Sequence, residues 1–312
     1  VVCLGKMDEG LVKELCAYRC FRNNGAGFKQ LVHWTSKLAS DGVSLLYVME
    51  ATGVYHEALA YYLEGHQCQV SIVLPNKISN YFKTLEVKSI TDKTASEAIV
   101  LFGLERQLDL WHSPHPVHKK LRQITRERDQ LVQERTMIKN QLHAEQAEAF
   151  PNVRSISRMK QRITLLDRQE AAIVKEINES VQGQPEVKKH IDIITTIPGV
   201  GMLTAATVLA ETNGFDLIRN KKQLTSYAGL DVREKQSGIS IKGKPSISKR
   251  GNRYLRKALH LPALAAIRHE QQYKNQFSRL VSRHGIKMKA AVAVQRKILE
   301  LIYTLYKTGK PF

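Results

Sequence analysis

The sequence has no apolar run approaching the roughly 18 to 20 residues that span a bilayer, and no basic-then-apolar leader is visible in it. A soluble protein is the expectation. Cysteine is scarce: Cys3, Cys16, Cys20 and Cys68 are the only 4 among 312 residues, all in the N-terminal third and none in C-x-x-C spacing. That pattern supports neither a zinc site nor a disulfide framework, and it suits a reducing cytoplasm. Aromatic residues make up 7%, and no basic amphipathic helix carries an aromatic apolar face, which argues against a membrane-surface partner. The last scarcity is acid. Residues 191–312 hold 7 Asp or Glu against 22 Lys or Arg, a net of +15, while 1–112 carry −1 and 113–190 carry +5.

The formal net charge of +19 is therefore concentrated at one end of the chain. A polyanion fits this distribution, because each phosphate neutralised by Lys or Arg releases condensed counterions and strengthens binding. The densest stretch begins "REKQSGISIKGKPSISKRGNRYLRK" at residue 233, with nine cations against the single acid Glu234. Arg233, Lys235, Lys242, Lys244, Lys249, Arg250, Arg253 and Arg256 are its candidate phosphate contacts. The plain alternative is a solvated basic loop.

Three regions follow one another. In residues 1–112, β-rich runs such as "VVCLG", "SLLYVME" and "QVSIVLP" alternate with helical ones, the mark of an α/β layer with a mixed sheet. Pro114 and Pro116 in "HSPHPVH" mark a linker, and His112, His115 and His118 read as linker residues rather than ligands. Residues 113–190 change period: Val117, Leu121, Ile124, Leu131, Ile138 and Leu142 follow 4-3 spacing, with Arg128 and Arg135 in the seam. After "FPN" at 150–152, Ile156, Met159, Ile163, Leu166, Ile173 and Ile177 repeat it. An antiparallel helical hairpin or a coiled-coil dimer arm is expected. Residues 191–312 read as mainly helical.

The helical region opens on "TTIPGVGMLTAATVLAE", whose I-P-G-V-G turn resembles that of a helix-hairpin-helix module. Gly199 and Gly201 would let backbone N–H groups approach a phosphate; plain turn geometry is the competing account. In the first region Glu50 ends an apolar strand, where α/β sheets place their chemistry, and Asp92 precedes a helical run. Two carboxylates converging on Mg²⁺ would suit phosphodiester cleavage, though both are equally compatible with ordinary surface acids.

Seven ordered stretches carry a resemblance along essentially the whole chain: "MEATG", "TDKTASEA", "WHSPHP", "IPGVG", "SYAGLDVREKQSGISIKG", "SISKRGNRYLRKAL" and "GIKMKAAVAVQRKILELIYTLYKTGKPF". The chain resembles the DEDD-type insertion-sequence transposases, relatives of the Piv/MooV DNA invertases. The resemblance implies an α/β RuvC-like (RNase H-like) N-terminal domain, a helical coiled-coil arm, and a mainly α C-terminal transposase domain bearing a nucleophilic serine. It further implies Mg²⁺, DNA as partner, a structured guide RNA in some members, and a homodimer or homotetramer.

The family's serine lies in a short "SG" between "AGL" and "SKxGxxxLR", here Ser237; Ser240, Ser246 and Ser248 are not separable from it by physics alone. Of the four acids, Glu50 matches the second and Asp92 the third. The first belongs to a strand upstream of "VVCLGK", so the chain is expected to begin after it. The fourth falls on Ala95. Glu97 is the nearest carboxylate, but five helical steps put it about 140° around from Asp92, while Ser96 lies within about 40°. The reading is a DNA transposase or site-specific recombinase using Ser237. A decayed element that only binds nucleic acid and a metal-only junction nuclease are the alternatives, the last disfavoured by the two absent acids.

Overall fold

A computed structural model gives the structure. It describes every residue except Ser40, Asp41, Glu86, Lys88, Leu217, Glu234, Lys235, Gly238, Ile239, Ser240, Lys244 and Pro245, and omits the side chains of Gln236, Ser237, Ile241 and Lys242. The chain divides into two compact units, Val1–Ser113 and Pro114–Phe312.

In the first unit, β1 (Val2–Met7) and β2 (Lys13–Arg19) form an antiparallel hairpin with a bulge at Leu4/Gly5. Its turn is closed by Asp8, whose Oδ1 accepts from the Val12 N–H at 2.7 Å. α1 (Gly25–Leu38) starts at Asn24, whose side chain accepts from the Gly27 N–H. β3 (Leu46–Glu50) then pairs in parallel with β4 (Gln69–Val73) through α2 (Glu57–Gly65), and Glu50 stands opposite Val73. α3 (Pro75–Phe82) and α4 (Asp92–Glu105) complete the unit. The expected mixed sheet is thus two separate two-stranded ladders among the described residues.

Two glycines let α4 lie on both ladders. A Cβ on Gly5 of β1 would sit 2.5 Å from Val100 Cγ1, and one on Gly103 of α4 would sit 3.0 Å from Val48 Cγ2 of β3. Val73, Ile78, Tyr81 and Phe102 close the core beneath.

In the second unit α5 (Pro116–Ala147) and α6 (Val153–Gln182) form a long hairpin. Its antiparallel sense follows from the cross-pairs Lys120–Glu176, Arg128–Glu170 and Arg135–Asp167, whose partners run in opposite directions. Asn152 stops the turn and caps α6 by accepting from the Arg154 and Ser155 N–H groups at 3.1 Å. The proximal seam residues Val117, Leu121, Ile124, Ile173 and Ile177 share one core with the helices that follow.

Those helices are α7 (Pro185–Ile194), α8 (Met202–Thr212) and α9 (Lys221–Tyr227), then, after an extended excursion, α10 (Arg253–Ala258), α11 (His260–His269), α12 (Gln271–His284) and α13 (Lys287–Thr308). α8 is apolar almost all round and correspondingly buried, with Ala205, Ala206, Val208 and Leu209 fully covered. No helix among the described residues is long and apolar enough to cross a membrane.

Candidate nucleic-acid interface and active site

The excursion between α9 and α10 is a set of nested pairs. At its base the Asn252 N–H donates to the Tyr227 carbonyl at 2.8 Å, then Lys249 N–H to Gly229 O at 3.1 Å and Ser248 N–H to Asp231 O at 2.8 Å. Beyond these, β5 (Val232–Arg233) pairs antiparallel with β8 (Ser246–Ile247), and β6 (Gln236–Ser237) with β7 (Ile241–Lys242). Ser237 therefore belongs to the outermost described pair, opposite Ile241. The positions of Lys235 and Lys244 and the side chains of Ser237 and Lys242 lie outside the described residues.

The competing serines differ in their surroundings. Ser248 Oγ donates to Asp231 Oδ1 at 2.5 Å, while Ser246 is exposed in β8 and Ser240 lies outside the described residues. The cations divide as well. Arg233, Lys249, Arg250 and Arg253 are exposed, and Lys249 adopts φ +52°, in the left-handed region. Arg256 instead turns inward, donating to Ala228 O at 2.8 Å and Gly251 O at 3.2 Å. It sits where a Cβ on Gly229 would be, 2.8 Å from its Nη1. Arg256 joins the "AGL" turn to the "KRGN" turn.

The two glycines of "IPGVG" also part company. Gly199 has φ +84°, and a Cβ there would stand 2.8 Å from the Pro262 carbonyl and 3.0 Å from Ala265 Cβ, so α11 packs on its bare face. Gly201, the N-cap of α8 at φ −90°, has open space around its missing side chain.

In the first unit, Glu50 is half-buried at the end of β3 and Asp92 is exposed at the first position of α4, behind a capping box of Thr91 and Thr94. The contact between the two elements falls at Val48 and Gly103. Gly103 lies eleven residues along α4 from Asp92, about 16 Å of helical rise. Ala95 is followed by Ser96, whose buried hydroxyl donates to the Lys93 carbonyl at 2.7 Å. Glu97 faces Lys93 at 3.9 Å. Burial, with the Glu97 charge adding, pushes the Cys3 thiol up.

Two family models match in chain order: one of DEDD-type IS110 transposases over residues 10–151, and one described as Transposase IS116/IS110/IS902 family over residues 191–278. The pilin gene-inverting protein of Moraxella bovis is 30% identical over 297 residues, covering 94% of this chain and 89% of that protein. The chain belongs to the IS110-type transposase family. The transposase of insertion sequence element IS1111A from Coxiella burnetii is 32% identical over 145 residues, 45% of this chain and 39% of that protein. An insertion element IS110 protein of Streptomyces coelicolor is 27% identical over 147 residues, 47% of this chain and 35% of that protein.

A DEDD-type transposase domain implies a divalent metal cation. A hard cation of this kind takes six or more oxygens, and no group of three or more His, Cys, Asp or Glu able to hold a metal exists among the described residues. With Ala95 at the fourth position, Ser96 bonded to its own helix and Glu97 turned to Lys93, the donors present do not fit a four-carboxylate site.

Sequence reasoning missed the most deeply buried acid among the described residues of this transposase. Glu211 of α8 is 3% exposed, and Arg126 of α5 grips it in a bidentate pair, Nε to Oε1 at 2.7 Å and Nη2 to Oε2 at 2.8 Å. Asn252 Nδ2 donates to the same Oε2 at 2.6 Å, and the Tyr227 hydroxyl donates to the Glu211 carbonyl at 2.9 Å. The Arg126 guanidinium rests over the Tyr254 ring at 4.5 Å, and the Glu211 hydrogen bonds raise its pKa further. Burial, with the Glu211 charge adding, pushes the Tyr227 hydroxyl up. The available signal was one acid inside the apolar run "AATVLAET", since a carboxylate in a buried helix needs a partner.

Proposed function

We propose that this IS110-type transposase cuts and rejoins DNA through Ser237. Its Oγ attacks a phosphodiester phosphorus, an O–P bond to the enzyme forms, and the P–O bond to one strand breaks, leaving a DNA hydroxyl that carries away a proton. Attack by a DNA hydroxyl on the same phosphorus reverses the step and rejoins the strand. A serine needs an environment that stabilises the charged, five-coordinate phosphate. Arg233, Lys249, Arg250 and Arg253 stand exposed on the excursion that carries it.

The observation that carries this reading is the position of Ser237 in the outermost described pair of a basic excursion, while its neighbour Ser248 is held by Asp231. In the same reading residues 1–112 are a RuvC-like domain, supported by the antiparallel and parallel ladders that α4 joins. Residues 113–190 are a coiled-coil arm for assembly as a dimer or tetramer, and residues 191–312 are the transposase domain. The net +15 of that last segment suits both DNA and a structured guide RNA. Mg²⁺ is the family's cation in this reading, although the carboxylates among the described residues do not complete a site for it.

A second reading, a protein that binds nucleic acid without cutting it, is favoured by Ala95 and the incomplete carboxylate set. Trapping separates the two. Full-length protein incubated with labelled element-end DNA and denatured should yield a protein–DNA adduct whose modified peptide contains Ser237. Retarded complexes without any adduct would support the second reading.

A further inference from the structure

The excursion that carries Ser237 is closed at its base from outside itself. Tyr227 is its last residue on one side and Asn252 its last on the other, joined by the Asn252 N–H to Tyr227 O bond. Glu211 holds both, by its carbonyl to the Tyr227 hydroxyl and by Oε2 to the Asn252 amide. Asn252 is also the cap of α10, its Oδ1 accepting from Tyr254 N–H at 2.9 Å and Leu255 N–H at 3.2 Å. One side chain therefore fixes where the excursion ends and α10 begins.

Glu211 is in turn fixed by the arm. Its side chain is 1% exposed, while Arg126 is 40% exposed, so the carboxylate is the desolvated partner and the guanidinium has one face toward solvent. α5 touches the same place twice more, through Arg126 over the Tyr254 ring and through an ion pair between Asp129 and Lys257 of α10. A buried carboxylate is costly unless it is paired and fully hydrogen-bonded. Here the carboxylate is bonded by Arg126 of α5 and by Asn252, the cap of α10, while Tyr227 of α9 bonds the Glu211 carbonyl. An apolar residue could have filled the site with less electrostatic risk and kept the carbonyl that Tyr227 bonds; what it could not do is fix Asn252 and Arg126 in one geometry.

The geometry points to Glu211, with Arg126, as the positioning group for the Ser237 excursion: the carboxylate locks the base of the hairpin to the arm helix α5 and so sets where Ser237 stands. Glu211 touches no reacting atom. Its carboxylate acts through Asn252, its backbone carbonyl holding Tyr227 alongside, and this assignment of its consequence for catalysis rests on the serine reading above.

The test uses the full-length protein, the Glu211→Gln variant, and the reciprocal pair Asn252→Asp alone and Asn252→Asp combined with Glu211→Gln. Glu211→Gln keeps shape and an acceptor and leaves Arg126 able to turn to water. Asn252→Asp keeps the α10 cap but sets two carboxylates against each other. The double variant restores one donor, one acceptor and the original charge. Amide exchange at Ser248, Lys249 and Asn252 should quicken roughly ten- to a hundredfold in each single variant and recover in the double, as a charge-assisted clamp that opens locally would require. In single-turnover trapping on labelled DNA, the rate constant for adduct formation should fall about 100-fold in the single variants, with the adduct amplitude and DNA affinity kept, and should recover in the double.

Unchanged exchange at those three amides would overturn the assignment, and so would a lower amplitude at an unchanged rate constant, which is what a merely less stable protein gives. The exchange arm needs no adduct and decides the positioning by itself. Absence of any adduct in the parent protein would overturn the serine reading instead.

Discussion

Ser248 is bonded to Asp231 twice, its hydroxyl donating to Oδ1 at 2.5 Å and its backbone N–H to the Asp231 carbonyl at 2.8 Å. A hydroxyl that already donates to a carboxylate is tied to the hairpin, and it also accepts from the Arg250 N–H at 3.3 Å. Ser248→Ala should therefore cost stability and leave chemistry in place. The loss of a hydrogen bond to a charged acceptor is expected to remove about 1.5–3 kcal/mol, less where Asp231 can reach water. Thermal unfolding should shift down by a few degrees while adduct formation on DNA persists; loss of the adduct at unchanged stability would move the nucleophile to Ser248.

The glycines of "IPGVG" give a paired test. Gly199→Ala places a Cβ at φ +84° within 2.8 Å of a backbone carbonyl, so it should unfold the second unit at markedly lower temperature, a cost above about 1 kcal/mol. Gly201→Ala meets nothing within 4 Å and has φ −90°, so the fold should tolerate it. Weaker DNA binding in Gly201→Ala at unchanged melting temperature is the outcome expected if the α8 N-terminus approaches phosphate. Equal affinity would leave Gly201 as turn geometry alone.

Glu170 neutralises the two arginines of the arm seam, Arg128 at 2.6 Å and Arg135, which also reaches Asp167 at 2.7 Å. Glu170 is 15% exposed and the arginines 32% and 22%. Glu170→Ala removes the carboxylate both guanidiniums share and leaves Asp167 as the remaining acid paired with Arg135 among the described residues. Partial exposure lowers the cost to about 1–3 kcal/mol, between that of a surface and a buried pair. Circular dichroism should show a melting temperature lower by several degrees, more so at low salt. No change would mean that water already satisfies both arginines.

Arg128 and Arg135 show what a one-dimensional pattern can carry. Their place in an apolar 4-3 repeat is visible, and so is the break at "FPN", because periodicity and turn residues are local. Their partner Glu170 is not visible, since it depends on the register of two antiparallel helices. The same limit hid Glu211, whose partners Arg126 and Asn252 lie 85 and 41 residues away, and Gly199, whose crowding comes from Pro262. Strands β1, β3 and β4 are legible as apolar runs, while β2, the charged and mostly exposed "KELCAYR", is not; pairing is a property of two segments, and two ladders stand where one mixed sheet is expected. The basic excursion could be read as charge and as a resemblance; its nested pairs and the inward turn of Arg256 could not.

Two half-buried histidines make stability depend on pH. The Nδ1 atoms of His118 and His190 are buried and have no well-formed hydrogen bond among the described residues, although Asn213 stands near enough to His118 to oppose its shift. Burial lowers both pKa values from 6.5, with His115 adding and Asp216 opposing at His118, and Lys189 adding and Glu186 opposing at His190. The unfolded chain thus takes up protons at a higher pH than the folded one, so stability rises with pH in this window. It is complete above the unfolded value and is lost as pH falls through 6.5 toward the folded values. Melting temperature should drop between pH 7.5 and 5.5, and His118→Gln should flatten part of that drop. An identical slope in the variant would place the effect on other histidines.

The last prediction separates attachment from binding at Ser237. The serine is one neutral hydroxyl beside nine cations in residues 233–257, and net hydrogen-bond contributions of a neutral hydroxyl are about 1 kcal/mol. Binding rests instead on phosphate neutralisation, each contact contributing about −0.9 to the slope of log K against log salt on duplex DNA. In full-length protein, Ser237→Ala should abolish the covalent adduct and leave both affinity and salt slope close to those of the parent. Arg250→Gln with Arg253→Gln should do the reverse, flattening the slope by up to about 2 while the adduct still forms at saturating protein. A denaturing gel with labelled DNA reads the first and a salt titration the second. A protease-sensitive shifted band that survives in Ser237→Ala would show that the nucleophile lies elsewhere, whereas joint loss of binding and attachment would make Ser237 a residue that holds the hairpin together.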